Sequence, residues 1–233
     1  MEHALEITNV LSDPTRFHIY QHIVHYPNGV TVLDVANKFS IHPNVARIHL
    51  SKLEAIRLVT SSIKKTGKGG RPSRIYKLSE ETVELHFPYR DYKLLSMIAL
   101  DSFMELGEVG RKALFHTGKK YGTKIMEQNI NKQQNIDLRS IERKLSILKD
   151  AFTMLGMYPR LNYSEAKKQI SFRFNNCPFK EIASTNEENQ QMICQMHYAF
   201  LYGMFEALFS DFTLVEEGNI FENCSNCTYR VAF

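Results

Sequence analysis

Leu11-Ser-Asp-Pro-Thr-Arg-Phe-His-Ile-Tyr-Gln-His-Ile-Val-His25, read on to Arg57, decides the fold of the N-terminal third. Ser12 or Asp13 can cap a helix here, and Pro14 suits its first turn. Phe17, Ile19, Tyr20, Ile23 and Val24 give that helix a broad apolar stripe. Tyr26-Pro-Asn-Gly29 stops it. Thr31 caps a short second helix ending at Phe39, with Val32, Val35, Ala36 and Phe39 inward. After the tight connection Ser40-Ile-His-Pro43, a third helix runs from about Pro43 to Arg57. Its buried side takes Val45, Ala46, His49, Leu50, Leu53 and Ile56. The period then changes: Leu58 to Ile63 alternates, Lys64 to Ser73 is basic and Gly-rich, and Arg74 to Leu78 alternates again. Three short helices followed by a basic hairpin predict a winged helix-turn-helix whose third helix can enter a DNA major groove.

Charge agrees with that reading. Residues 1–80 hold 11 Lys+Arg against 6 Asp+Glu, hence +5, whereas residues 81–233 hold 18 against 19, hence −1. Between 38 and 77 there are 10 basic residues and a single acid, Glu54. Such a local cationic footprint suits a polyanion. On the third helix Asn44, Arg47, Ile48, Ser51 and Lys52 share the face away from the core. Arg reads guanine bidentately, Asn reads adenine, and Ser and Lys hold phosphates. In the wing, Lys64, Lys65, Lys68, Arg71 and Arg74 surround Gly67, Gly69 and Gly70, a composition suited to phosphates or the minor groove. Arg16 reads as a local ion-pair or phosphate contact, and His49 as a packed histidine.

The 233 residues, 43% hydrophobic with 15 Phe and 11 Tyr, are enough for ordinary cores and exclude a low-complexity chain. No run approaches the roughly eighteen apolar residues of a membrane span, and the N-terminus has no secretory pattern. A cytoplasmic protein with no membrane partner is expected. There is no GxSxG, P-loop or HExxH, and six of the nine His fall in the first 49 residues. An enzyme is therefore not expected.

The second half is less periodic. A helical stretch from about Arg90 to Ile130 is interrupted by Gly107, Gly110, Gly118 and Gly122, and the polar run 129–135 reads as a linker. Asp137 caps a helix ending at Gly156, two strands follow over 160–163 and 169–174, and Glu187 to Phe209 forms a long helix before two last strands. The expected fold is α+β. It comprises the winged helix-turn-helix over 1–80, a helical connector and dimerisation segment over 81–134, and a cysteine-containing α+β sensor domain over 135–233. All four cysteines, Cys177, Cys194, Cys224 and Cys227, lie in that last part. Cys224-Ser-Asn-Cys227 is a CxxC, and Cys194 stands one helical turn before His197. If the turn, helix and loop that carry them pack together, the four thiolates suit zinc or an iron–sulfur cluster equally. Otherwise Cys177 and Cys194 are small buried hydrophobes.

Leu11-Ser-Asp-Pro-Thr-Arg16 and Arg47-Ile-His-Leu50 resemble the winged-helix repressors of the ArsR superfamily, and Gly70-Arg-Pro-Ser-Arg-Ile-Tyr-Lys-Leu78 is similar to the wing of one branch. Asn176-Cys-Pro-Phe179, Cys194-Gln-Met-His197 and Cys227-Thr-Tyr-Arg-Val231 resemble that branch's sensor domain, the SufR-like group that represses iron–sulfur assembly genes. The resemblance implies a homodimer on a palindromic double-stranded operator, with an iron–sulfur cluster on Cys177, Cys194 and Cys227. The fourth ligand does not carry over with the resemblance: Cys224, three residues from Cys227, is expected, with His197 as its rival, and a structural zinc with a small-molecule pocket is the alternative.

Overall fold

The computed structural model describes residues 2–64, 73–132, 138–222 and 226–233. They divide into two units, Met1–Arg90 and Asp91–Phe233, so the helices expected as a connector fall with the second.

In the first unit α1 (Glu2–Leu11) precedes α2 (Pro14–Val24), where Asp13 accepts the Arg16 N–H and Pro14 opens the helix. α1 was not legible in sequence, because Ile7 is its one fully buried apolar residue. A capping box starts α3 (Val32–Phe39): Thr31 N donates to Asp34 Oδ2 at 2.7 Å and Asp34 N to Thr31 Oγ1 at 3.2 Å. His42 Nδ1 accepts the Asn44 N–H at the head of α4 (Pro43–Ala55). The wing pairs β2 (Val59–Lys64) with β3 (Ser73–Leu78), and β1 (Val30–Thr31) adds to the other edge of β3. Ile19, Ile23, Val35, Leu50, Leu53 and Tyr76 fill the core. Each contributes about 1.5–3 kcal/mol by leaving water. Phe17 and Val45, expected inward, are exposed, since Ile19, Ile23, Ala46 and Leu50 already close the contact between α2 and α4.

The second unit opens with α5 (Tyr92–Glu105) and α6 (Glu108–Lys132). Only Gly107, at φ +58°, breaks the helical stretch; Gly110, Gly118 and Gly122 lie buried within α6. α6 also runs to Lys132, into the expected linker. Ser140 caps α7 (Ile141–Met154); Asp137, the expected cap, lies outside the described residues. β4 (Pro159–Ser164) and β5 (Gln169–Phe174) form a hairpin, followed by α8 (Lys180–Ala183), α9 (Glu187–Glu206), β6 (Thr213–Gly218) and β7 (Cys227–Ala232). The sheet is antiparallel in the order β4-β5-β7-β6. Alternation along β5 and β7 buries Ile170, Phe172, Phe174, Cys227, Tyr229 and Val231, which pack with Phe152 of α7 and Phe205 of α9. Phe172 stacks on Phe205 and Tyr229 at 5.3 and 5.2 Å. α6 and α9 meet backbone to backbone. A Cβ on Gly122 would lie 1.9 Å from the Phe200 oxygen, and one on Gly203 2.1 Å from the Lys119 oxygen. Among the described residues no helix is long and apolar enough to cross a membrane.

Candidate functional site

α4 is amphipathic for a reason that serves its outer face. Ala46, Leu50 and Leu53 lock one side into the core, which leaves Asn44, Arg47, Ile48, Ser51 and Lys52 exposed on the other. Arg47 Nη1 donates to Asn44 Oδ1 at 3.0 Å, so the two candidate base readers already hold one another in position. All five residues expected on this face are there. In the wing, Arg74 is exposed but its Nη1 lies 3.7 Å from Glu54 Oε2, and Ser61 Oγ donates to the other oxygen of Glu54. The single acid of the basic stretch is thus spent on a wing arginine. Lys64 ends β2; Lys65, Lys68 and Arg71 lie outside the described residues.

Beneath α4, Arg16 is buried. Its Nη1 donates to the Val10 carbonyl at 2.6 Å and its Nη2 to Asp13 Oδ2 at 3.2 Å, the local ion pair among the two expected roles. His49 Nδ1 stands 3.8 Å from the same carboxylate. Burial lowers the His49 pKa more than Asp13 raises it, so His49 packs here as a neutral ring.

In the second unit three segments bring thiols to one pole of the sheet. The β5–β7 register sets Cys227 opposite Phe174, three residues before Cys177 in the turn that leads to α8. Cys194 comes from the second turn of α9, which packs on α8. All three are free thiols. Burial pushes Cys177 up to about 11, and the charge of Cys194 adds to the rise. Burial likewise pushes Cys227 up to about 12, helped by Cys177 and Cys194, and raises Cys194. Each also meets an N–H donor that opposes the rise. The backbone N–H groups of Phe179 and Lys180 serve Cys177, that of Ile220 serves Cys227, and the Asn219 side chain serves Cys194.

Tyr229, two residues beyond Cys227 on the same buried face, belongs to this pole. Burial, Glu216 and then all three thiols raise its phenol. Neither Tyr229 nor Asn219 was singled out from sequence. The period-2 spacing from Cys227 could have found the tyrosine; nothing local marks the asparagine. His197 is 4% exposed, its Nε2 has no partner, and burial holds its pKa down to about 4. The rings of Phe179, Phe174 and Phe200 stand 5.3, 6.3 and 6.5 Å from it, an aromatic enclosure. Cys224 lies outside the described residues. Among the described residues no group of three His, Cys, Asp or Glu side chains is arranged to hold a metal ion.

Comparison with known proteins bears on the first unit. Residues 11–62 match the family model of a helix-turn-helix domain. That span runs from the start of the Leu11 motif through α4 into the wing, so the exposed α4 face belongs to a helix-turn-helix domain. No curated protein matches the chain. Among solved structures, a trafficking protein particle complex subunit 3 from Naegleria fowleri, covalently bound to palmitic acid, aligns at 19% identity and a TM-score of 0.47. The alignment covers 60% of this chain and 93% of that one. The phenol-responsive sensory domain of the transcription activator PoxR, solved with phenol, aligns at 16% identity and a TM-score of 0.43, over 79% of this chain and 88% of that one.

Proposed function

We propose that this chain is a DNA-binding transcriptional repressor, active as a homodimer on a palindromic operator, whose second unit senses an iron–sulfur cluster. The observation that carries the DNA-binding part is the α4 face: five polar or groove-compatible side chains exposed on a helix locked from behind, within a helix-turn-helix match. α4 would lie in the major groove with Arg47 and Asn44 at base edges. Ser51, Lys52 and the wing residues Lys64, Lys65, Lys68, Arg71 and Arg74 would hold phosphates.

Six apolar side chains on α5, at its C-terminal cap and at the start of α6 support a second copy as partner. Tyr92, Leu94, Leu95, Ile98, Leu106 and Val109 are 53–71% exposed. Large apolar side chains left in water on neighbouring turns suit a face that a second copy would cover.

For the cluster, the support is the donor type alone: cysteine thiolates are its usual ligands, while the described residues present no group of three side chains already arranged around a metal ion. Three free thiols come from three separate segments, Cys177 before α8, Cys194 on α9 and Cys227 at the start of β7, and binding would have to draw them together. Cys177, Cys194 and Cys227 would hold the group, with Cys224 as fourth ligand, because the loop that delivers Cys227 delivers it as well. When bound, the cluster supplies a charge and a redox state that follow iron and sulfide supply. The chain's own part is to surrender protons from buried thiols, which makes binding pH-dependent, and to order the segments carrying Cys177 and Cys227 against α9. The aromatic enclosure of His197 favours Cys224 over it.

The test is purification without oxygen, with iron, sulfide and zinc analysis, followed by selection of bound sequences from random duplex DNA. Brown protein with stoichiometric iron and sulfide and a selected palindrome is expected. Colourless protein with one zinc per chain would replace the cluster by the structural-zinc alternative. Failure to enrich any sequence would overturn the DNA-binding reading.

A further inference from the structure

Asp13 stands where α1, α2 and α4 meet, and its carboxylate is pinned in place. Oδ1 accepts the Arg16 N–H at 3.0 Å, which caps α2, and Oδ2 accepts Arg16 Nη2 at 3.2 Å. Arg16, 6% exposed, is itself fixed on α1, since its Nη1 donates to the Val10 carbonyl at 2.6 Å. From the third helix, His49 of α4 brings Nδ1 to 3.8 Å from Asp13 Oδ2. That gap is too long for a hydrogen bond, and Nδ1 is buried without one. The Arg16 N–H holds the Asp13 carboxyl below its usual range, so it is charged. Asp13 and Arg16 of α2 and Lys52 of α4 are the charged groups that act on the His49 ring.

We infer that Asp13 is a positioning residue of the DNA-contacting helix: it holds α4 through His49, from an anchor that Arg16 fixes to α2 and α1. The inference rests on the DNA-binding reading above. Ala46, Leu50 and Leu53 seat α4 by apolar contact, which has no direction of its own. The carboxylate adds one, because its attraction for the His49 ring depends on distance and so on how α4 is turned. His49 follows Ile48 and stands two residues from Arg47, so a turn of α4 that moves the ring moves the outer face with it. The contact tightens when His49 takes up a proton and the pair becomes imidazolium and carboxylate. In the free chain, burial together with Arg16 and Lys52 opposes that proton. Duplex DNA on the outer face brings phosphates that offset Lys52, so binding favours the protonated ring and takes up a proton.

The experiment uses the full chain as wild type, Asp13→Asn and His49→Gln, with a duplex that the wild type has selected from random sequence. Affinity for that duplex, for its single-base variants and for unrelated DNA is measured from about pH 8 to about pH 5.5, the range in which histidine titrates. The wild type should bind the selected duplex more tightly as pH falls, by up to about tenfold per pH unit, the slope of one proton taken up. His49→Gln should lose that slope. Asn caps a helix about as well as Asp, so Asp13→Asn should keep α2 while shifting the proton uptake to lower pH. It should also discriminate less among the single-base variants, with affinity for unrelated DNA little changed. Should Asp13→Asn fail to fold, Asp13→Ser takes its place as a cap without charge. A wild type that selects no sequence overturns the DNA-binding reading and this inference with it. A selected duplex bound with a flat pH profile, an undiminished slope in His49→Gln, or unchanged slope and base discrimination in Asp13→Asn overturns this inference alone.

Discussion

Replacing Gly122 by alanine should destabilise the second unit, although alanine is the better helix former. The added Cβ would stand 1.9 Å from the Phe200 carbonyl oxygen and 2.8 Å from its carbon, when real Cβ contacts stay above about 3.0 Å. Both obstacles are backbone, so no rotamer change relieves them, and α6 and α9 must part by more than an ångström. That movement loosens contacts around Met126, Phe200, Leu201, Met204 and Phe205, which belong to one buried cluster. Overpacking of this kind costs about 3 kcal/mol at the upper end of its usual range, and the helix-propensity gain returns about 1 kcal/mol. The net loss is about 2 kcal/mol, a fall of roughly 4–8 °C in the unfolding temperature for a unit of this size. Scanning calorimetry of the full chain should show the drop in the transition of the second unit. Thr117→Ala, on the exposed side of the same helix, should leave it within about 0.5 kcal/mol. A neutral or stabilising Gly122→Ala would mean that α6 and α9 do not cross at this closeness.

Three further outcomes are expected. Arg47→Ala should cost about 1–3 kcal/mol at a single operator base pair and relax preference there, while non-specific binding changes little; affinity measured over a set of single-base operator variants checks it. His197 is held neutral by burial, its pKa down to about 4 against roughly 6.5 in the unfolded chain. The unfolded state takes up that proton first, so the contribution is whole above about pH 6.5 and is lost as pH falls toward 4, at most about 3 kcal/mol. Urea midpoints across that window should drop in the wild type and less so in His197→Leu; parallel drops would refute the assignment. Finally, if the chain sediments as the proposed homodimer, Leu95→Glu together with Ile98→Glu should convert it to monomer while leaving helicity intact, and an unchanged sedimentation coefficient would place the interface elsewhere.

Much of the first unit was readable because its signals are local. Asp13 before Pro14, Thr31 three residues before Asp34, and the shift from helical to alternating period at Leu58 each act within a few residues. The outward face of α4 follows from the same periodicity that buries Ala46, Leu50 and Leu53. Where neighbours compete for a place in the core, pattern was a poorer guide. Phe17 and Val45 are apolar and correctly spaced, yet Ile19, Ile23, Ala46 and Leu50 close the contact first.

For the second unit, sequence alone determined that cysteines from separate elements could meet; only the tertiary structure decided how. The β5–β7 register sets Cys227 opposite Phe174, three residues before Cys177, and α9 carries Cys194 against α8; neither arrangement is written in any short stretch. Gly118 and Gly122 read as helix interruptions in one dimension and, with Gly203, as a close helix contact in three, since a missing Cβ matters only once another backbone fills its place. Tyr229 follows from the alternation of β7, but Asn219 carries no local pattern. Both meet Glu216, Asn219 at 2.9 Å and Tyr229 at 3.5 Å, and a contact made across strands is decided by packing geometry rather than by composition or period.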